Sequence, residues 1–227
     1  MFRPIRVLVV EDDPGARALL SAVLTGMEGL ELCGLAADGM EGLELVEKLR
    51  PDAVLLDLIM PGLDGLGFLR LLDRKKRPVV VVASQAAGDP LIRHTLALGA
   101  SYYLVKPLNL QSLPDLLEGL CLQPLVLQAQ ELLEDMGARG RGVAAAARAA
   151  AVLARDESAL LKQAYAPTIA AEGANYAGVE KNIRAMVDKL HHTARPGYQA
   201  LLGGLPAARP SNLVFLRALA RMLTEDH

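Results

Sequence analysis

A doubly wound α/β domain followed by an all-helical one is the fold class this sequence predicts, and three observations predict it. Apolar runs of four to six residues alternate with helical stretches from Ile5 to Cys121. Runs such as Ala53-Val54-Leu55-Leu56 and Val79-Val80-Val81-Val82-Ala83 are apolar without interruption, the pattern of strands buried on both faces of a parallel sheet. From Pro124 onward no strand-like run returns. The boundaries read from these patterns are residues 1–123 for the five-stranded α/β domain and 124–227 for the helical one.

The elements follow in order. Ile5–Val10 reads as the first strand, and Pro14 opens a helix through Leu24 with Asp13 as its cap. Glu31–Leu35 is a short second strand, and Gly39–Leu49 repeats Met40, Leu43 and Val46 at helical spacing. Ala53–Leu56 is the third strand, Asp64–Leu72 a helix and Val79–Ala83 the fourth strand. Asp89–Leu98 is a helix stopped by Gly99. Tyr102–Val105 is the fifth strand, and Asn109–Cys121 the last helix of the first domain. In the second, Leu125–Met136 is helical, the Gly- and Arg-rich stretch from Gly137 to Gly142 breaks it, and Val143–Arg155 is an Ala-rich helix. Asp156 caps a helix through Ala164, two helices near Pro167–Glu172 and Tyr176–His191 flank Gly173, Pro196-Gly197 interrupts, and Ser211 caps a last helix through Leu223.

Composition bounds the answer. Hydrophobic residues make up 52% and charged residues 22% of 227, which is globular, and the absence of Trp makes the core aliphatic. No apolar run approaches the roughly 20 residues of a membrane span, and the N-terminus shows no signal peptide, so a cytoplasmic protein with no membrane partner is expected. Cys33 and Cys121 have no metal-type spacing and read as small buried hydrophobes. Residues 1–123 carry 12 Lys/Arg against 16 Asp/Glu, whereas residues 124–227 carry 12 against 10, so a polyanion is expected to meet the second half.

The chemistry gathers at strand ends. Asp57 closes the third strand and is followed by the turn Met60-Pro61-Gly62-Leu63-Asp64-Gly65. Open α/β sheets bind ligands beyond the carboxyl ends of their strands. Glu11-Asp12-Asp13 follows the first strand, Ser84 the fourth and Lys106-Pro107 the fifth. Neighbouring first and third strands would gather Glu11, Asp12 and Asp57, whose charges repel. A hard dication such as Mg²⁺ resolves that repulsion and leaves room for phosphate oxygens. Asp57 is then a nucleophile toward a phosphoryl group, Lys106 a point charge for a phosphoryl oxygen, and Ser84 a hydroxyl donor. The Lys106-Pro107 bond is a candidate cis peptide. Each feature alone is commonly a cap or a bend; four at the ends of strands one, three, four and five point to a phosphate-accepting site.

The segments Val7–Asp13, Asp57–Gly65 and Leu98–Pro107 closely resemble two-component response-regulator receiver domains, over residues 5–121. The resemblance implies a flavodoxin-like fold and phosphorylation of Asp57 by a histidine kinase or a phosphotransfer protein. It implies Mg²⁺ held by Asp12 and Asp57, by Glu11 through water, and by the Ile59 backbone carbonyl. It implies a switch in which Ser84 moves toward the phosphoryl group and Tyr103 turns inward behind it. Ser84 stands where Thr is usual, and Glu11 where Asp is commoner. Ile59 and Ala86 are apolar where they would face an attacking water, which predicts a long-lived acyl phosphate.

In the second half, Pro167–His191 has the outline of a helix-turn-helix, whose second helix enters the DNA major groove. The second helix has an apolar face at Val179, Ile183, Met186, Val187 and Leu190, and a charged face at Glu180, Lys181, Arg184, Asp188 and Lys189. The charged face suits base edges and phosphates, although Glu180 and Arg184 can also pair with each other. Val179-Glu180-Lys181-Asn182-Ile183-Arg184 and Arg209-Pro210-Ser211-Asn212-Leu213-Val214-Phe215-Leu216 resemble the C-terminal domain of the stage-zero sporulation protein A family, over roughly 128–225. This implies a six-helix DNA-binding domain that forms a homodimer on phosphorylation, binds promoter DNA and touches an RNA polymerase sigma factor. Glu180 and Lys181 would read bases, Arg184 would hold a phosphate or a base, and Lys189 lies on the same charged face. Lys181 stands where that family has Arg, Ala177-Gly178 replaces Ser-Arg, and Val143–Ala151 lacks its tyrosines, which predicts altered site preference. The loop Arg139-Gly140-Arg141 is either a phosphate contact or a solvated loop, and His191-His192 reads as a helix end.

The leading expectation is a phosphorylation-controlled transcription factor, the rival a receiver whose helical domain binds protein or RNA. An enzyme is not expected, because no nucleophile–base pair or cofactor fingerprint appears in the second half.

Overall fold

The computed structural model describes residues 3–73 and 78–225; Met1 and Phe2, the start of the segment read as free of a signal peptide, lie outside the described residues. The chain divides into two compact units, residues 4–121 and residues from 122 onward. Its elements are β1 (Ile5–Val10), α1 (Pro14–Thr25), β2 (Leu30–Ala36), α2 (Gly39–Leu49), β3 (Ala53–Leu56), α3 (Gly65–Leu71), β4 (Val79–Ser84), α4 (Asp89–Ala97), β5 (Tyr102–Val105), α5 (Leu113–Asp135), α6 (Gly142–Arg155), α7 (Leu161–Glu172), α8 (Tyr176–Thr193), α9 (Pro196–Leu202) and α10 (Asn212–Glu225).

The first unit is a five-stranded parallel sheet in the order β2-β1-β3-β4-β5, the flavodoxin-like doubly wound fold. Strand side chains alternate between two cores, as a period of two requires. Leu8, Val10, Val54, Leu56, Val80 and Val82 pack with Phe68 on one face. Val7, Val9, Ala53, Leu55, Val81 and Ala83 pack with Leu20, Leu24, Leu113 and Leu117 on the other. Aspartates cap α1, α2 and α3, which leave the carboxyl edge. Asp13 accepts from the Ala16 amide at 2.6 Å, Asp38 from Glu41 at 3.0 Å, and Asp64 from Gly67 at 2.7 Å.

Register positions the site. Val10 pairs with Leu56, so Glu11 and Asp57 leave neighbouring strands side by side. The Asp57 amide extends the ladder by donating to the Val10 carbonyl at 2.9 Å. Ser84 pairs with Val105, which sets Lys106 beside it.

The last helix of the α/β unit differs from expectation. A short 3-10 turn, Leu110–Ser112, precedes α5, which runs through Pro124 to Asp135 as one helix. A proline inside a helix costs about 3 kcal/mol, which is why Pro124 reads as a break. Leu120 and Cys121 before it pack on one core, and Leu122 before it with Leu125 and Val126 after it on another, so packing outweighs the lost hydrogen bond. Local signals also misplace the start of α7, which begins at Leu161 and continues through Pro167. Asp156 instead ends α6, and its carboxylate accepts from the Ser158 amide at 2.9 Å; its bonds from Ser158 hold its pKa down. Pro196, read as an interruption, begins α9, as proline at a first helical position does.

In the helical unit α6 is the hub, in contact with α7, α8 and α10. Its alanines at 145–147 and 149–151 are almost wholly buried. A helix apolar on all sides belongs in a core, and alanines let three neighbours approach closely. Tyr165, Tyr198 and Phe215 fill the remaining volume, each fully buried.

Candidate functional site

At the carboxyl edge of the sheet, Lys106 Nζ lies 2.7 Å from Glu11 Oε2 and 2.7 Å from Asp57 Oδ2. Glu11 and Asp57 are buried, and Asp12 is half-buried beside them. Burial pushes the Glu11 carboxyl up, the Lys106 bond opposes this, and the Asp57 charge adds to it. Burial disfavours the Lys106 ammonium, but its bonds to Asp57 and Glu11 outweigh that and raise its pKa. The Lys106–Pro107 peptide bond is cis. The Ile59 amide donates to Asp57 Oδ1 at 3.2 Å, while its side chain is 65% exposed at the rim.

One oxygen from each of Glu11, Asp12 and Asp57 lies within 4.8 Å of the others. Ionised, these carboxylates place three negative charges against one ammonium, with hard oxygen donors already converged. That donor set fits a divalent cation of the Mg²⁺ type. The cluster opens into a cavity of about 510 Å³, lined also by Gln85 and by an apolar wall that includes Leu19, Leu20 and Leu108.

Ser84 is fully buried, and its Oγ accepts from the Ala86 amide at 3.3 Å. The half-buried Tyr103 donates its phenol to the Ala86 carbonyl at 2.6 Å. Both side chains therefore grip the same residue of the loop after β4. Arg17 was not foreseen. Its guanidinium donates to the carbonyls of Glu11 and Asp12 at 2.7 and 2.8 Å and pins the acidic loop. The sequence gives little sign of this, because the acceptors are backbone carbonyls and carry no side-chain signature.

Sheet order and this acidic, lysine-bridged pocket define the class: a doubly wound α/β module with its chemistry at the carboxyl edge. Residues 7–118 match the response regulator receiver domain family, and the N-terminal unit is a receiver domain of a response regulator. It is similar to the signal receiver domain of the response regulator NarL from Mycobacterium tuberculosis, at 27% identity and a TM-score of 0.50, over 52% of this chain and 97% of that one. It is 49% identical over 106 residues to protein-glutamate methylesterase/protein-glutamine glutaminase 5 of Myxococcus xanthus, covering 46% of this chain and 30% of the relative. It is 38% identical over 123 residues to the Pyrococcus horikoshii protein-glutamate methylesterase/protein-glutamine glutaminase, covering 51% of this chain and 33% of the relative. The chain thus spans about a third of the length of these curated relatives. The expectation that excluded an enzyme is corrected by these matches, because the relatives are named as enzymes.

In the helical unit, α7 ends at Gly173 in a left-handed conformation (φ 60°), and Asn175 caps α8 by accepting from the Gly178 amide at 2.8 Å. Tyr176, Ala177, Glu180, Lys181 and Arg184 line a cavity of about 320 Å³. Glu180 and Arg184 pair at 3.0 Å, so both side chains occupy one another on the free surface. Lys181 and Lys189 are exposed. Asn212, at the start of α10, donates to the Glu180 carbonyl at 3.1 Å and to the Tyr165 phenol at 3.4 Å, tying α7 and α8 together. Burial pushes the Tyr165 phenol up to about 12. Arg139 turns back onto the end of α5, donating to the Glu134 and Ala138 carbonyls. His191 Nδ1 lies 3.2 Å from the Tyr198 phenol, and His192 Nδ1 lies 2.7 Å from the Asp188 carbonyl. Cys33 and Cys121 form no disulfide and are half-buried, and burial raises the Cys33 thiol. Among the described residues no helix is long and apolar enough to cross a membrane.

Proposed function

We propose that this chain is a phosphorylation-controlled response regulator. Its receiver accepts a phosphoryl group on Asp57, and its helical unit then binds DNA through α8. The observation that carries this reading is Lys106 Nζ bridging Glu11 and Asp57 at 2.7 Å each, inside a pocket that keeps both carboxylates from bulk water. An Asp57 oxygen attacks the phosphorus of a phosphohistidine on a histidine kinase or phosphotransfer protein. The P–N bond breaks, the imidazole leaves, and an acyl phosphate remains. Lys106 exchanges a carboxylate for a phosphoryl oxygen. Glu11, Asp12, Asp57 and the Ile59 carbonyl would hold Mg²⁺, which when bound neutralises charge on the phosphoryl oxygens.

Because Ser84 and Tyr103 hold opposite sides of Ala86, movement of Ser84 toward Asp57 frees the Ala86 amide and disturbs the peptide that Tyr103 grips. This gives the switch a route from the pocket to the β5 surface. The acyl phosphate is expected to be long-lived, because Ile59 and Ala86 offer an attacking water no polar partner. Decay of radiolabel within seconds of kinase removal contradicts this.

The helix-turn-helix arrangement of α7 and α8 and the net positive charge of the second half support the DNA reading. Dimerisation on phosphorylation, promoter binding and contact with a sigma factor are what the resemblance to the stage-zero sporulation protein A family implies for this unit. The second reading, a helical unit that binds protein or RNA, is favoured by Ala177-Gly178, which leaves the start of α8 without a cation. Fluorescence anisotropy with promoter DNA, with and without an acyl-phosphate mimic, separates the two. Binding that tightens with the mimic and weakens steeply with salt is expected. No binding at low salt supports the second reading.

A further inference from the structure

We infer that Arg141, outside the helix-turn-helix, is a phosphate contact that extends the cationic edge of α8. The inference rests on the DNA-binding reading above. Gly142 begins α6 pressed against α8: a Cβ there would lie 2.5 Å from the Asn182 carbonyl and 2.8 Å from the Met186 side chain. Only a glycine permits that approach, and it fixes the residue before it, Arg141, beside the middle of α8. Asn182 and Lys189 are seven residues apart, so on a helix of 3.6 residues per turn they share one side. The loop therefore flanks the edge of α8 that carries Lys189.

Charge pairing decides what this edge attracts. The two acids of α8 are already matched: Glu180 pairs with Arg184 at 3.0 Å, and Asp188 pairs with Arg209 of the α9–α10 loop at 2.7 Å. Arg139 is spent on the end of α5. Arg141, Lys181 and Lys189 are exposed, and among the described residues none of them forms an ion pair. Arg141 and Lys189 thus flank one side of a helix whose own acids are silenced, and Lys181 lies about 100° round the helix from Asn182. The chemistry that fits such an edge is a nucleic-acid backbone, whose phosphates recur regularly and ask for cations rather than hydrogen-bond patterns. The loop arginine also supplies, from a different element, a positive charge that Ala177-Gly178 does not provide.

The test uses the full chain with the acyl-phosphate mimic, a short mixed-sequence DNA duplex, and anisotropy titrations over a range of salt. Arg141→Ala is expected to weaken binding to specific and mixed sequences alike and to lower the slope of log K against log salt by about one. Arg141→Lys is expected to restore the slope. If wild-type protein binds DNA and Arg141→Ala leaves both affinity and slope unchanged, the assignment of Arg141 is overturned while the DNA reading stands. If wild-type protein binds no duplex even at low salt, the DNA reading itself fails, and Arg141 with it.

Discussion

Asp57→Asn is expected to reduce phosphoryl uptake to background. An amide nitrogen or its carbonyl is too weak a nucleophile to displace a phosphorylated imidazole, and no acyl phosphate can form on it. The substitution leaves the fold intact for a reason visible in the pocket. Glu11 and Asp57 both lean on Lys106 at 2.7 Å, so removing one negative charge leaves the other paired and relieves their mutual repulsion. Loss of labelling with unchanged or higher thermal stability is therefore the expected result, read by radiolabel transfer from a phosphohistidine donor and by calorimetry. Uptake at the same pocket by the Asn variant, or wild-type labelling indifferent to magnesium, sinks the assignment of this site. The neighbouring Asp12 is not placed to take over as nucleophile, since it is the more exposed carboxylate and among the described residues has no bond to Lys106.

The receiver was largely legible in its sequence because β1, β3 and β5 are short and each is followed directly by a functional residue. Asp57 follows Leu56 and Lys106 follows Val105 with no intervening loop, so knowing the strand places the side chain. What stayed hidden depends on backbone groups rather than side-chain identities. Arg17 acts on Glu11 and Asp12 through backbone carbonyls, which carry no side-chain signature. Ser84 and Tyr103 meet at Ala86, a residue whose side chain says nothing about its peptide group. In the helical unit the prolines misled in opposite ways. Pro124 and Pro167 sit inside helices where packing on both sides outweighs a missing donor, whereas Pro196 starts one. Propensity alone makes the alanines of α6 helical, but with Arg148 and Arg155 as the only charged residues of its 14, the helix has no polar face and has to be central.

Phe215→Ala is expected to unfold the helical unit far more readily while leaving the receiver's chemistry in place. Phe215 is fully buried on α10 and stacks against the equally buried Tyr198 of α9, with ring centroids 6.2 Å apart at 24°. It shares one core with Leu133 of α5, Leu153 of α6, Ile183 of α8 and Leu219 of its own helix. Truncating such a ring costs about 3–5 kcal/mol in lost transfer energy and residual cavity. A domain of this size has only about 5–15 kcal/mol in all. The helical transition should fall by at least about 12 °C. Receiver residues occupy separate cores on either side of the sheet, so phosphoryl uptake at Asp57 should persist at temperatures where the helical unit has melted. Calorimetry combined with radiolabel uptake across the same temperature range reads both. If Phe215→Ala instead abolished uptake in step with the helical transition, the two units would not be independent cores, and a switch that acts by passing a signal from one folded unit to another would have to be replaced by one in which both fold together.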